Sequence, residues 1–367
     1  MSPGQGNRPP ADSPRARGFR MPGEWAPHRA TWIAWPHERS DWPGRFARIP
    51  PVYVEIVRAL GRGEAVELVV EPGQESVVRR RLERADVPLA PVRFHAWPTD
   101  RSWVRDAGPT CVTAPAAGGR PGDRGWITWR FNAWAKYANW HQDVRLAGRI
   151  ARAAGGPSWA PRLGRRRIVL EGGAIDANGS GLLLTTEECL LSPVQARNPG
   201  VGRTALERVF ARYLGVERVL WLPRGIAGDD THGHVDDAAR FVAPTTVVAA
   251  VEPDRGDPNY GPLAENRSAL DPGPHGGAPR LRVVELPMPP PIRFRGERLP
   301  ASYANFYIAN ASVLVPTFDV PTDEEALAIL RREFPGRRVV GVPCRDLVLG
   351  LGTLHCLTQP EFAVPGR

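Results

Sequence analysis

The sequence predicts an α/β protein, and three observations carry that reading. Short runs rich in Val, Ile and Leu alternate with segments of helical period along the chain. Two strand signals, a helix signal and another strand signal return several times in that order, without a strict sequence repeat. This rhythm fits one domain of pseudo-symmetric units. Finally, 42% of the 367 residues are hydrophobic, enough for a sizeable core. No apolar run approaches the roughly 20 residues that span a bilayer.

Each element follows from local pattern. Val54, Ile56, Val57 and Leu60 recur at helical spacing from residue 52, and Gly61 ends the run. A strand signal over Ala65–Val70, an amphipathic helix over 74–85 and a strand over Val92–Ala96 come next. Further strand signals lie at 126–131, 167–170, 181–185, 218–222, 246–251, 281–286, 312–315 and 338–342. Thr204-Ala-Leu-Glu207 and Thr322-Asp-Glu-Glu325 match the capping box, which predicts helices starting at those threonines. Gly215 ends the first and Pro335 the second. Proline-rich stretches at 271–279 and 287–291 read as surface loops. Residues 1–20 lack the apolar centre of a signal peptide. They read as a disordered polar tail or an extension upstream of Met21, leaving 21–363 as a single catalytic domain.

Composition narrows the function. Cys111, Cys189, Cys344 and Cys356 are scattered without paired spacing. That argues against a disulfide framework or zinc knuckle and for a reducing, cytoplasmic setting. The net charge is +9, yet Lys136 is the only lysine and the arginines are dispersed. No basic stripe with interleaved aromatics accompanies them, so no nucleic-acid partner is expected, and no membrane. Ten of the twelve tryptophans precede residue 141. They serve as core packing, or as an aromatic wall over a cationic substrate.

Four islands combine acids, histidine or cysteine with glycine at strand ends. They are Trp103-Val-Arg105-Asp106-Ala-Gly108, Glu171-Gly-Gly173, Asp229-Asp-Thr-His232-Gly-His234-Val-Asp236-Asp237, and Gly350-Leu-Gly-Thr-Leu-His355-Cys356. One such island is ordinarily a turn with a capping acid. Four at successive strand ends point to an assembled site. His232, His234 and Asp236 would also suit a metal-dependent hydrolase, since imidazoles and a carboxylate hold zinc. That pattern wants a further histidine where this chain has Asp237. The chemistry that uses every island is attack on a guanidinium, a planar cation whose donors match carboxylates two at a time. Two acids clamp it, a thiolate adds to its carbon, and a histidine protonates the departing ammonia. No cofactor or metal is needed.

With these islands in hand the chain resembles the agmatine deiminase family, which includes bacterial-type peptidyl-arginine deiminases, within the guanidine-modifying superfamily. The likeness runs from Met21-Pro-Gly-Glu24-Trp25 to Thr358-Gln359. It takes in Phe131-Asn-Ala-Trp134, Thr186-Glu-Glu-Cys189-Leu-Leu191, Arg197-Asn-Pro199 and Ser302-Tyr-Ala-Asn305-Phe-Tyr307. The resemblance implies a five-bladed α/β propeller of ββαβ units (the pentein fold). It also implies conversion of agmatine to N-carbamoylputrescine, a step toward putrescine, with peptidyl-arginine as the alternative substrate. Carried over by position, Cys356 is the nucleophile, His234 the general acid and base, and Glu171 its partner. Asp106 and Asp236 clamp the guanidinium, and Trp103 lines the substrate pocket. His355 is expected to be structural, because neighbours in an extended segment point to opposite sides. A small cationic guanidine is the expected partner, and a homo-oligomer is permitted. Three departures alter the pocket's outer shape: Leu351 and Thr353 interrupt a glycine-rich run, His232 replaces an Asp or Asn, and Ala135 stands where the family has Gly-Gly.

Overall fold

In the computed structural model, residues 12–116, 122–271 and 280–364 are described. Their strands group into five mixed sheets and two short hairpins. Each of the five sheets has a central strand with one antiparallel and one parallel neighbour. The central strands are His28–Ala34, Asp123–Ile127, Leu182–Thr186, Thr246–Val251 and Ser312–Thr317. A parallel neighbour cannot be reached by a tight turn, so a crossover is required. Helices fill those crossovers: Ile49–Leu60, Leu146–Ala154, Arg203–Leu214, Tyr260–Leu270 and Thr322–Glu333. The first sheet also carries Val92–Ala96 on its edge and joins the two ends of the chain. Thr358–Phe362 runs antiparallel to His28–Ala34 there.

The central strands are buried on both faces, which explains why runs such as Thr246-Val-Val-Ala-Ala-Val251 read as continuously apolar. The helix Ile49–Leu60 begins with prolines in its first turn, where a missing N–H leaves nothing unpaired. It buries Tyr53, Ile56, Val57 and Leu60 in the largest core cluster, shared with the strand Ser312–Thr317. A second cluster packs Val209, Phe210 and Leu214 against Ile168, Leu170 and Leu183.

Several elements depart from the sequence reading. The strand expected at 126–131 is Asp123–Ile127; beyond it Arg130 makes only an isolated bridge to Val169. At 167–170 just Arg166–Arg167 pairs as a strand. The Val169 backbone is held instead by the Asn198 side chain, which accepts from its N–H at 3.0 Å and donates to its carbonyl at 2.7 Å. Neither capping box forms. The earlier helix is capped at Gly202, which puts Thr204 inside its first turn, and Glu207 instead accepts from the Trp221 indole at 2.9 Å. In the later one, Asp323 accepts from the Phe318 and Val320 backbone N–H groups, outside the box. Two helices are absent from the sequence reading: Leu146–Ala154, although Leu146, Ala147, Ile150 and Ala151 recur at helical spacing, and Tyr260–Leu270, which has no apolar stripe and Pro262 in its first turn. Of the expected loops, 272–279 lies outside the described residues, and Met288 is buried. Residues 1–11 are likewise outside, but 12–20 are packed: Phe19 is buried, and Arg20 exchanges backbone hydrogen bonds with Thr113. Among the described residues no helix is long and apolar enough to cross a membrane.

Candidate active site

A short helical turn stands immediately before the leading strand of each sheet. These turns are Val104–Ala107, Gly172–Ala174, Val235–Asp237, Tyr303–Asn305 and Leu354–Leu357. They touch in a closed circuit, each meeting the next and the last returning to the first. Every island singled out in the sequence contributes one turn: Asp106, Glu171 with Gly173, His234 with Asp236, and Cys356. Asn305 supplies the remaining one.

The side chains converge. Cys356 Sγ lies 3.7 Å from Asp236 Oδ2. His234 Nδ1 is 3.8 Å from Asp106 Oδ2 and 4.0 Å from Asp236 Oδ1, and its Nε2 is 3.7 Å from Glu171 Oε2. Asp106 is fixed by the Trp134 indole at 2.8 Å and the Gly173 N–H at 2.9 Å. Gly173 sits so deep among them that a Cβ there would lie 2.5 Å from His234 Nδ1 and 3.0 Å from both aspartates. A cavity of about 330 Å³ opens onto Trp103, Asp106, Trp134 and Cys356. Its rim is strained at two places. Ala133, Trp134 and Ala135 all have positive φ, and Leu351 sits at +67°, a region that disfavours Cβ-bearing residues. These are the segments where glycines were expected and are missing.

Sequence reasoning left several supporting residues without roles. Arg197 points its Nε at both Glu171 oxygens, 3.2 and 3.3 Å away. Asn305 donates Nδ2 to Cys356 Sγ at 3.1 Å and to Asp237 Oδ1 at 3.0 Å; its Oδ1 accepts from Thr353 Oγ1 and the His355 N–H. Glu24 joins Arg105 and Arg240, each at 2.8 Å, to His355 Nε2 at 3.0 Å. His355 does not lie in an extended segment. It occupies the same helical turn as Cys356 and holds Asp236 Oδ2 through Nδ1 at 2.6 Å. Each of these residues falls in a run already quoted for its family likeness, which was the available signal.

Electrostatics sort the acids. Burial opposes ionisation of Glu171, but the Arg197 guanidinium overrides it and holds the carboxyl below its usual range. Burial likewise opposes the charged imidazole of His234, yet the Asp106 carboxylate lifts its pKa well above normal. Asp106 itself is raised by burial. Asp236 is lowered against burial by its hydrogen bond to His355, and its Oδ1 is buried without a partner. Burial, reinforced by Asp236, Asp237 and Asp106, pushes the Cys356 thiol well above an ordinary cysteine. Glu171 and Glu24 are answered by arginines. Asp106 and Asp236 are not, so the net field at the thiol favours a cation.

The metal arrangement proposed from sequence does not assemble. His232 turns outward to Ser192 Oγ at 3.0 Å, away from His234. Among the described residues one trio has metal-ligand spacing, Glu171, Cys189 and His234. Its carboxylate is already committed to Arg197, whose positive charge opposes a second cation.

A pentein-type α/β fold with a buried cysteine, histidine and paired acids at the meeting of its turns defines the class of protein. The chain belongs to the Porphyromonas-type peptidyl-arginine deiminase family, which it matches over residues 20–361. It is 37% identical to the agmatine deiminase of Ectopseudomonas mendocina over 96% of this chain and 98% of that protein. With the agmatine deiminase of Pseudomonas aeruginosa it shares 36% identity over the same proportions. Among solved structures, the Enterococcus faecalis agmatine deiminase superposes with a TM-score of 0.86, at 31% identity, covering 97% of this chain and 99% of that one. A cysteine-to-serine variant of the Campylobacter jejuni agmatine deiminase with substrate bound superposes at 0.82, with 26% identity, covering 95% and 97%.

Proposed function

We propose that this chain is an agmatine deiminase, hydrolysing the guanidinium of agmatine to the ureido group of N-carbamoylputrescine and releasing ammonia. The observation that carries the reading is the meeting of the Cys356 thiol, the His234 imidazole and the carboxylates of Asp106 and Asp236 behind one cavity, onto which Cys356 and Asp106 open. Its five sheets are read as the blades of an α/β propeller around that cavity, supported by the closed circuit of turns. The unit spans 21–363. A cytoplasmic setting belongs to the same reading, supported by four buried free thiols.

Asp106 and Asp236 clamp the cation, with Asp236 Oδ1 waiting as an unpaired acceptor. The thiol is protonated in the free enzyme; a guanidinium beside it favours loss of that proton to solvent, leaving the thiolate. Sulfur adds to the central carbon. His234, kept protonated by Asp106, gives its proton to the departing nitrogen, and ammonia leaves. The neutral imidazole then takes a proton from water, whose oxygen attacks the S-alkylthiouronium carbon. Collapse expels the thiolate and leaves the urea. Glu171, anchored by Arg197, orients the ring through both half-reactions. The global +9 charge does not oppose cation binding, because charges beyond a Debye length of about 8 Å are screened while the acids act at contact.

The test is release of ammonia and ureido product from agmatine, arginine and arginyl peptides. Turnover is expected with agmatine, lost in Cys356→Ser and nearly lost in Asp106→Asn and Asp236→Asn. Iodoacetamide should inactivate and chelators should not. Undiminished turnover by Cys356→Ser refutes the thiolate mechanism, and turnover confined to arginyl peptides refutes the substrate.

A further inference from the structure

We propose that Asp41, at the mouth of the cavity, binds the second positive charge of the substrate, a primary ammonium at the far end of its methylene chain. The assignment rests on the deiminase reading. Asp41 lines the same cavity as Cys356, Asp106 and Trp103, so one extended molecule meets all of them. Its carboxylate is buried, with 5% of the residue exposed. Arg101 Nη1 bonds Oδ1, while Oδ2 is buried without a hydrogen-bond partner. Buried carboxylate oxygens are ordinarily paired, and an unpaired one on a residue that lines a cavity marks where a donor belongs. An ammonium brings three donors and the complementary charge.

Arg101 does not preempt that donor. Its guanidinium is occupied over the Tyr137 ring, 4.5 Å from the centroid, and Nη2 reaches Asn139 Oδ1 at 3.3 Å. It therefore fixes the orientation of Asp41 and leaves Oδ2 to a ligand. The other acid of the mouth is disposed differently. Asp230 Oδ2 accepts from the Tyr137 hydroxyl and lies 3.4 Å from Lys136 Nζ, so that oxygen already has its donors, whereas Arg101 reaches only Oδ1 of Asp41. Burial pushes the Asp41 carboxyl up to about 6 despite Arg101 and the nearby Trp103 indole, and an arriving cation would draw it down again. Trp103, packed against Trp42 and beside Gly352, walls the path between the two subsites and suits the methylenes that join them.

Agmatine and pentylguanidine separate the possibilities, since the second replaces the ammonium by a methyl group. Wild type should prefer agmatine in kcat/KM by about tenfold or more, the worth of one charge-assisted hydrogen bond. Asp41→Asn should raise KM for agmatine by about 10- to 100-fold and erase that preference, while pentylguanidine turnover reports an intact fold. Asp230→Asn should keep the preference. Equal losses on both substrates in Asp41→Asn, or loss of preference in Asp230→Asn alone, overturn the assignment. Equal turnover of both guanidines by wild type also overturns it, without any variant. Turnover of neither sinks the deiminase reading and the subsite together.

Discussion

Replacing Gly173 by alanine adds one methyl group where the site has no room. The new Cβ would stand 2.5 Å from His234 Nδ1, against about 3.4 Å for ordinary contact, so the ring or the turn must recede by about 0.9 Å. It would also stand 3.0 Å from Asp106 Oδ1 and Asp236 Oδ2, so retreat toward either acid is blocked. A misplacement of that size lowers turnover by about 10²-fold. Overpacking should remove about 1–3 kcal/mol of stability, well short of unfolding the chain. Steady-state ureido-product formation measures the first effect and guanidinium chloride denaturation the second. Gly148 gives the contrast: it lies inside the helix Leu146–Ala154 with open space around its missing Cβ. Gly148→Ala should gain about 0.5–1 kcal/mol and leave turnover alone. If Gly173→Ala works within threefold of wild type, the tight packing of His234 against the two aspartates is not what sets the rate.

Three further predictions follow from the surrounding shell. Asn305→Ala should lower kcat/KM by about 10- to 100-fold, because a charged sulfur loses a donor held at 3.1 Å. It should also move the pH profile of thiol alkylation to higher pH, which a merely structural defect would not do. In the wild type the thiol is pushed above its ordinary range, so the thiolate fraction grows as pH rises. Iodoacetamide inactivation should therefore still be accelerating at about pH 10, where an unperturbed cysteine of pKa about 8.5 has levelled off. Glu24→Gln should destabilise the protein by about 3 kcal/mol at pH 7, since Arg105 loses its buried counterion and Arg240 keeps only Asp176. The Glu24 carboxyl lies well below its usual range: burial opposes this, and Arg240, His355 and Arg105 override it. Its contribution is present above the unfolded pKa and is lost as pH falls through the folded one. Denaturation midpoints of variant and wild type should thus converge only in strong acid.

The fold was legible where one short segment decides its own conformation. Arg218–Leu222 and Thr246–Val251 lie where their short apolar runs placed them. It was not legible where a distant group decides. Val169 owes its backbone partners to Asn198, 29 residues away, and no strand pattern reports that. The capping boxes failed for a similar reason, since Glu207 and the Thr322 hydroxyl found other partners. In the site, Cys356, His234, Glu171, Asp106 and Asp236 were readable as candidates, because the proposed chemistry demands particular side chains, and the structure brings these together. Asn305, Arg197 and Glu24 act on those residues and not on substrate chemistry, so type alone gave them no role. His355 was misplaced because its segment coils into a helical turn, which aims its ring at Asp236.

The sheet that joins the ends of the chain bears on how the protein is made. Thr358–Phe362 is synthesised more than 300 residues after His28–Ala34, beside which it must lie. Until that late strand emerges from the ribosome, the early one keeps its edge open, and such distant pairings are slow to form. Cys356 sits just before the late strand, so a nascent chain carries Asp106 and Asp236 well before it carries the thiol. On the proposed chemistry, synthesis of this late segment arms the enzyme.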